Sequence, residues 1–291
     1  MAPNAQENDQ KVHISLHLSI SPPGTLSIDD AFPSTPLKLI ATIKQTKSPF
    51  PDRAITIMTK YSCLEVDTPG SEGAFFSRAM ASPQVTVPDP GCPAPELPLR
   101  PTKRVTITRV SGDPDLLKRG EENGFRFITI PPVSQGHAEV MWELTPSKLL
   151  LRLGDKGESL EEKMKRFLRP GDTYKIVPDN LRIQWWTFGS LDGGDGIGKK
   201  KIARWSLPDD LPLVREPGQD ETDEVAHGLR DWIDLHDVNK LSSRSAVENE
   251  QKPDIARMRS EGWVFGEPKT GLVMTAENQE HGAQFTVVSD K

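Results

Sequence analysis

The sequence predicts a mainly β protein, an antiparallel sandwich of sheets, and three observations carry that expectation. The first is strict alternation near the start: Val12, Ile14, Leu16, Leu18 and Ile20 are apolar, with His13, Ser15, His17 and Ser19 between them. Successive side chains of a strand point to opposite faces, so this segment has one buried side and one wet side. The second is recurrence of the pattern at Leu37, Leu39, Ala41 and Ile43, and again at Ala138, Val140, Trp142 and Leu144. The third is composition. With 35% apolar residues and 26 prolines in 291, the chain has enough for a folded β core carrying long, polar, proline-rich loops.

Taken in order, residues 1–11 read as a polar tail and Val12 to Ile20 as the first strand. A turn region with Pro22, Pro23 and Gly24 leads to a strand at Leu37 to Gln45, and β-branched Arg53 to Lys60 is expected as its hairpin partner. Weaker strands follow at Ala74 to Arg78 and Gln84 to Val87. Pro88 to Pro101 holds six prolines, which cannot supply a central ladder, and is expected as a surface loop. Strands resume at Lys103 to Val110, Phe125 to Ile130, His137 to Leu144 and Lys148 to Leu153. One short helix interrupts them: Ser159 and Glu162 form a capping box, and Leu160, Met164, Phe167 and Leu168 make an apolar stripe. Arg169-Pro170-Gly171 ends it, and strands at Thr173 to Val177 and Leu181 to Phe188 complete a domain spanning 12–190. Residues 191–291 read as an irregular extension packed back on that domain, with a helix at 222–241, a hairpin at 262–275 and a strand at Gln284 to Val288.

Charge and cysteine usage narrow the classes. A net charge of −6 argues against a nucleic acid or an anionic membrane as the main partner. The polar start lacks a secretory apolar stretch, and no window approaches the ~18 apolar residues of a membrane span, so a cytoplasmic protein is expected. Cys63 and Cys92 are too few for a disulfide framework or a thiolate zinc site and are expected as free thiols.

The succession Pro36-Leu37-Lys38-Leu39-Ile40-Ala41 followed by Ala54-Ile55-Thr56-Ile57-Met58-Thr59 resembles a recurring fungal β-sandwich pattern, as do Ile130-Pro131-Pro132-Val133 and Leu168-Arg169-Pro170-Gly171-Asp172-Thr173-Tyr174. It is similar to the immunoglobulin-like pro-region of deuterolysin-type metalloproteases and to small fungal proteins built the same way. The resemblance spans roughly residues 12 to 190 and implies an immunoglobulin-like sandwich. It carries no catalytic residue, and the protease's zinc motif of two histidines flanking a glutamate is absent from the sequence.

Candidate sites are few. Gly193 to Lys200, G-G-D-G-I-G-K-K, has the glycine and lysine spacing of a phosphate loop, but Lys200 replaces its final Ser or Thr and Leu207-Pro208 leaves no room for the helix that builds the phosphate cradle. Lys199 and Lys200, with Lys201, remain a looser anion-binding candidate, against the plainer reading of a solvated run. For Trp185 and Trp186, alternation sends Trp185 into the core with Leu181 and Ile183 and puts Trp186 on the other face with Arg182, Gln184 and Phe188. If that face is open, Trp186 and Phe188 form an aromatic ligand platform; the preferred reading covers it with the C-terminal segment bearing Trp232, Trp263 and Phe265.

His13 and His17 lie about 13 Å apart along a strand, too far to chelate one ion. His227, Asp231 and Asp234 share a face only if 222–241 is helical, a spacing common by chance. No G-x-S-x-G elbow is present. Pro95, Pro98 and Arg100 match a P-x-x-P-x-R polyproline ligand for a protein partner, a form that also arises easily in loops.

These readings converge on a non-catalytic binding or interaction protein with no cofactor, nucleic acid or membrane partner. Two alternatives stand beside it. One is an accessory enzyme of secondary metabolism with a pocket near Trp186 between sandwich and extension; the other is a chaperone-like domain acting on a separate client, by analogy of fold alone.

Overall fold

A computed structural model describes residues 10–29, 35–60, 62–65, 80–86, 116–117, 126–150, 157–178, 181–192, 196–207, 255–277 and 283–289. Within them the chain is mainly β, arranged in several sheets. The expected strands at Ala74 to Arg78 and Lys103 to Val110, the 222–241 helix with His227, Asp231 and Asp234, Cys92, Trp232, and the proline motif of Pro95, Pro98 and Arg100 lie outside the described residues.

The first sheet has the order β12-β1-β3-β7, from β1 (Val12–Ser21), β3 (Leu37–Lys47), β7 (Ala138–Leu144) and β12 (Leu272–Ala276). Alternation decides its faces: Val12, Ile14, Leu16 and Leu18 are buried together with Leu39, Ala41, Ile43, Val140, Trp142 and Leu144. The second sheet has the order β2-β13-β8-β5, from β2 (Thr25–Ser27), β5 (Met80–Thr86), β8 (Thr173–Pro178) and β13 (Ala283–Val288). The third, β6-β4-β9, joins β4 (Ile55–Met58), β6 (Phe127–Ile130) and β9 (Trp186–Phe188). One continuous apolar cluster draws on all three sheets, from Ile14 and Leu39 through Tyr174 and Phe285 to Ile57, Trp186 and Phe188. A parallel pair, β10 (Ile202–Ser206) with β11 (Val264–Gly266), makes a fourth sheet.

Several expectations are corrected. The arrangement is not purely antiparallel: β1 runs parallel to β12, β2 to β13 and β10 to β11, and only the β6-β4-β9 sheet is antiparallel throughout. Parallel neighbours need long crossovers, and here the C-terminal strands return to the start of the chain. A division at residue 190 therefore does not follow the sheets, since Leu272–Ala276 lies beside β1 and Ala283–Val288 between β2 and β8. Nor is 262–275 a hairpin, because its two strands belong to different sheets. Between them Glu267 and Pro268 cross over and a 3₁₀ turn, Lys269–Gly271, re-aims the chain.

β4 is not the hairpin partner of β3. It is the central strand between β6 and β9, and Ile55, Thr56, Ile57 and Met58 are all buried, as a strand covered on both faces requires. Lys148 to Leu153 is not a strand over its described part: Pro146–Leu150 is helix α1. Thr145 starts it, accepting the Lys148 amide at 3.3 Å, with Pro146 at a position where a missing N–H costs nothing. Helix α2 (Leu160–Phe167) has the expected capping box, Glu162 N–H to Ser159 Oγ at 3.2 Å and Ser159 N–H to Glu162 Oε2 at 2.8 Å. The strand expected from Leu181 is extended and paired only at Trp186–Phe188.

Candidate functional site

The environment of the paired tryptophans starts from β9. Gln184 lies at a bend, so alternation restarts there and the two faces are the reverse of those expected. Trp186 joins Phe188, Ile183 and Leu181 in the main core, while Trp185 enters a second cluster with Met58, Leu117 and Ile202. Both indoles are buried and both N–H groups are satisfied. Trp185 Nε1 donates to the Ala203 carbonyl at 3.1 Å, and Trp186 Nε1 to the Pro268 carbonyl at 2.9 Å.

The C-terminal segment closes over this joint. Glu267 N–H donates to the Trp186 carbonyl at 2.7 Å, and Leu207 N–H to the Gly266 carbonyl at 2.7 Å. A Cβ on Gly266 would lie 2.5 Å from Ser206 Oγ and 2.7 Å from Trp185 Cδ1, so only glycine lets the backbone approach this closely. Trp186 and Phe188 are both buried and present no open aromatic platform; the C-terminal segment reaches Trp186 through Glu267 and Pro268. Arg53 supplies the outer cover for Phe188. Its exposed guanidinium lies 4.9 Å from the Phe188 ring centre and 5.3 Å from that of Phe50, which packs edge-on against Phe188 at 5.1 Å. No sequence signal links Arg53 to Phe188, because only the third sheet brings β4 and β9 together.

The described part of the glycine-rich loop, from Gly196, uses its amides internally. Ile197 N–H donates to the Ser190 carbonyl at 3.0 Å and Gly198 N–H to the Leu191 carbonyl at 2.9 Å. These are the groups a phosphate loop would offer to its ligand, and here they tie the loop to the chain end of β9. The loop is anchored further by Leu191 N–H on Thr129 Oγ1 at 2.8 Å and by Thr56 Oγ1 donating to the Gly189 carbonyl at 2.8 Å. Lys199 and Lys200 are exposed, and neighbouring Lys201 sets its ammonium 5.2 Å from the Trp263 ring centre.

Cys63 is buried and unpaired in a disulfide, and burial pushes its thiol up to about 12. The thiol stays protonated at neutral pH and is a poor nucleophile. His13 and His17 do not converge on an ion, and among the described residues no group of three His, Cys, Asp or Glu side chains is placed to hold a metal.

The outer face of the first sheet was not singled out by the sequence. On β3 it carries Lys38, Ile40, Thr42 and Lys44; on β7 it carries Glu143, Met141 and Glu139, with Lys38 beside Glu143, Ile40 beside Met141 and Thr42 beside Glu139. Met141 is 53% exposed, the large apolar side chain most open to water among the described residues. Charges ring it: Lys148 Nζ is 2.7 Å from Glu143, His137 Nε2 is 3.2 Å from Glu139, and Lys44 Nζ is 3.0 Å from Glu277. Lys148 holds the Glu143 carboxyl below its ordinary range, and Lys44 does the same for Glu277. Among the described residues no helix is long and apolar enough to cross a membrane.

No family model matches this chain, and no match to it was found among curated proteins or solved structures.

Proposed function

We propose that the chain is a non-catalytic binding protein built on an immunoglobulin-like β-sandwich, and that it binds through the outer face of its β12-β1-β3-β7 sheet. The observation that carries the binding surface is Met141, a half-exposed apolar side chain centred among charged neighbours. An apolar centre with a polar rim is the anatomy of a protein interface. The sandwich reading is supported by the two four-stranded sheets contributing to one core and by Tyr174. Near the start of β8 this buried tyrosine donates its hydroxyl to the Phe167 carbonyl at 2.6 Å, upstream in the chain, as the tyrosine corner of immunoglobulin-like domains does.

The non-catalytic part of the proposal is supported by where the chemically capable groups lie. Cys63 is a buried thiol, and both β9 indoles are committed to backbone carbonyls. Against the alternative of an enzyme pocket beside Trp186 stands the packing of Pro268 and Gly266 on the two indoles. A chaperone-like role remains a special case of binding, distinguished by the folding state of the client.

The test is a pull-down from native extract with the full chain and with Met141→Glu, using Lys165→Glu on exposed helix α2 as control. The proposal expects a stoichiometric protein retained by the parent and the control and lost by Met141→Glu. Retention by all three would remove this face from the account, and a co-purifying small molecule with no protein would favour enzymatic chemistry.

A further inference from the structure

We propose that the outer face of the first sheet is self-complementary and that its partner is a second copy of this chain; this rests on the reading of that face as the binding surface. The argument is the order of charges in two neighbouring columns. Down β3 the outward residues run Lys38, Ile40, Thr42, Lys44, and beside them down β7 run Glu143, Met141, Glu139. A two-fold axis lying in the interface, between the columns and parallel to them, sets each β3 column over the other copy's β7 column at the same height. Lys38 then meets the second copy's Glu143, Ile40 its Met141 and Thr42 its Glu139, and each contact occurs twice. Two isoleucines and two methionines make the centre, and opposite charges sit at one end of it.

Two other two-fold arrangements of these columns bring like charges together. An axis across the strands at the height of Met141 would put Glu139 over the second copy's Glu143, twice. Edge-to-edge pairing of β7 about Met141 has the same fault. Of these three arrangements charge favours the first, and orientation is the part of recognition that rim charges govern best. Existing pairs to Lys148 and His137 leave Glu143 and Glu139 at the surface, each near 50% exposed or above, and accessible to a second copy.

The face is small. With the axis between β3 and the edge strand β7, only these two strands of each copy overlap; two strands at ~4.8 Å spacing and seven residues at ~3.4 Å give roughly 230 Å² on each copy, below the usual size of a specific interface. So small a contact makes association weak and concentration-dependent, with a Kd on the order of 10⁻⁴ M.

Sedimentation velocity on the full chain, from ~1 μM to ~500 μM, reads this directly. The parent is expected to shift from monomer to dimer, and Lys38→Glu, Glu143→Lys and Met141→Glu are each expected to weaken association at least about tenfold. An equimolar mixture of Lys38→Glu and Glu143→Lys should dimerise again, because both cross-copy contacts become opposite in charge. Circular dichroism of each variant establishes that it is folded, and the two charge variants, being surface changes, keep the test open if Met141→Glu is not. A monomer at the highest concentration, a dimer indifferent to both charge variants, or a mixture that stays monomeric overturns the self-pairing. If Met141→Glu still loses a captured protein in the pull-down, the face binds something else and the functional reading survives; if it loses nothing, both fall.

Discussion

Gly266 is a residue whose replacement the packing opposes. A methyl group there would press on the Trp185 indole and on Ser206 Oγ, and Trp185 cannot yield because it is wedged against Phe127 with its N–H bonded to Ala203. Gly266→Ala is expected to lower stability by about 1–3 kcal/mol, the usual cost of overpacking, in a denaturant melt. Nothing in Val264-Phe265-Gly266-Glu267 announces this, because the demand comes from a tryptophan far away in sequence. Glu277 gives a pH-dependent counterpart. Lys44 lowers its pKa in the fold, so its pairing contributes above the unfolded carboxylate range of about 4.3 and is lost as pH falls through the lower folded value. Glu277→Gln should therefore reduce the melting temperature at pH 7, by the equivalent of no more than about 1 kcal/mol for so exposed a pair. Parent and variant should converge when the melts are repeated at about pH 2. A gap that persists in acid would mean that the side chain acts through packing instead of charge.

At the level of elements, what could be read from the sequence was whatever is settled locally. The Ser159–Glu162 capping box involves only neighbours along the chain, and both reciprocal bonds are present. Ser159→Ala should cost about 1 kcal/mol, the Ser159 hydroxyl contact to Glu162 being lost while the Ser159 amide contact stays, and a denaturant melt against the parent measures it. The strands β1, β3 and β7 were equally legible, because each has one buried face and alternation records it. The errors fall where local pattern is ambiguous. Lys148-Leu149-Leu150 is a short apolar run compatible with strand or helix, and Thr145-Pro146 decides for helix. Trp185 and Trp186 were assigned to the wrong faces because a bend at Gln184 resets the period, which no alternation count detects. The candidate face around Met141 was missed for another reason. Lys38, Ile40, Glu143 and Met141 look ordinary in their own strands and become a surface only through the β3–β7 register.

For the whole molecule, the connections that alternation cannot predict are the ones that unify it. β12 hydrogen-bonds beside β1 and β13 lies between β2 and β8, so both ends of the chain stand in the same sheets. An appended C-terminal extension would unfold separately, whereas strands shared in this way must unfold with the sheets. Cys63 is the natural reporter. It sits in the same apolar cluster as Leu39, Trp142 and Phe285, and its thiol is both buried and held protonated. In a Cys92→Ser background at pH 8, a thiol reagent should reach Cys63 only through opening of that cluster, with thiolate forming once the group returns to its ordinary pKa of about 8.5. The labelling rate without denaturant should then be slower than that of the unfolded chain by the global unfolding equilibrium constant, on the order of 10³ or more for a domain of ordinary stability. Gly266→Ala, at the joint beside Trp185, should speed labelling by the factor its stability loss predicts if that joint and the Cys63 cluster open as one unit. Labelling that ignores Gly266→Ala would mean that the joint at Trp185 and the main core open independently, and that the two ends of the chain do not close one structure.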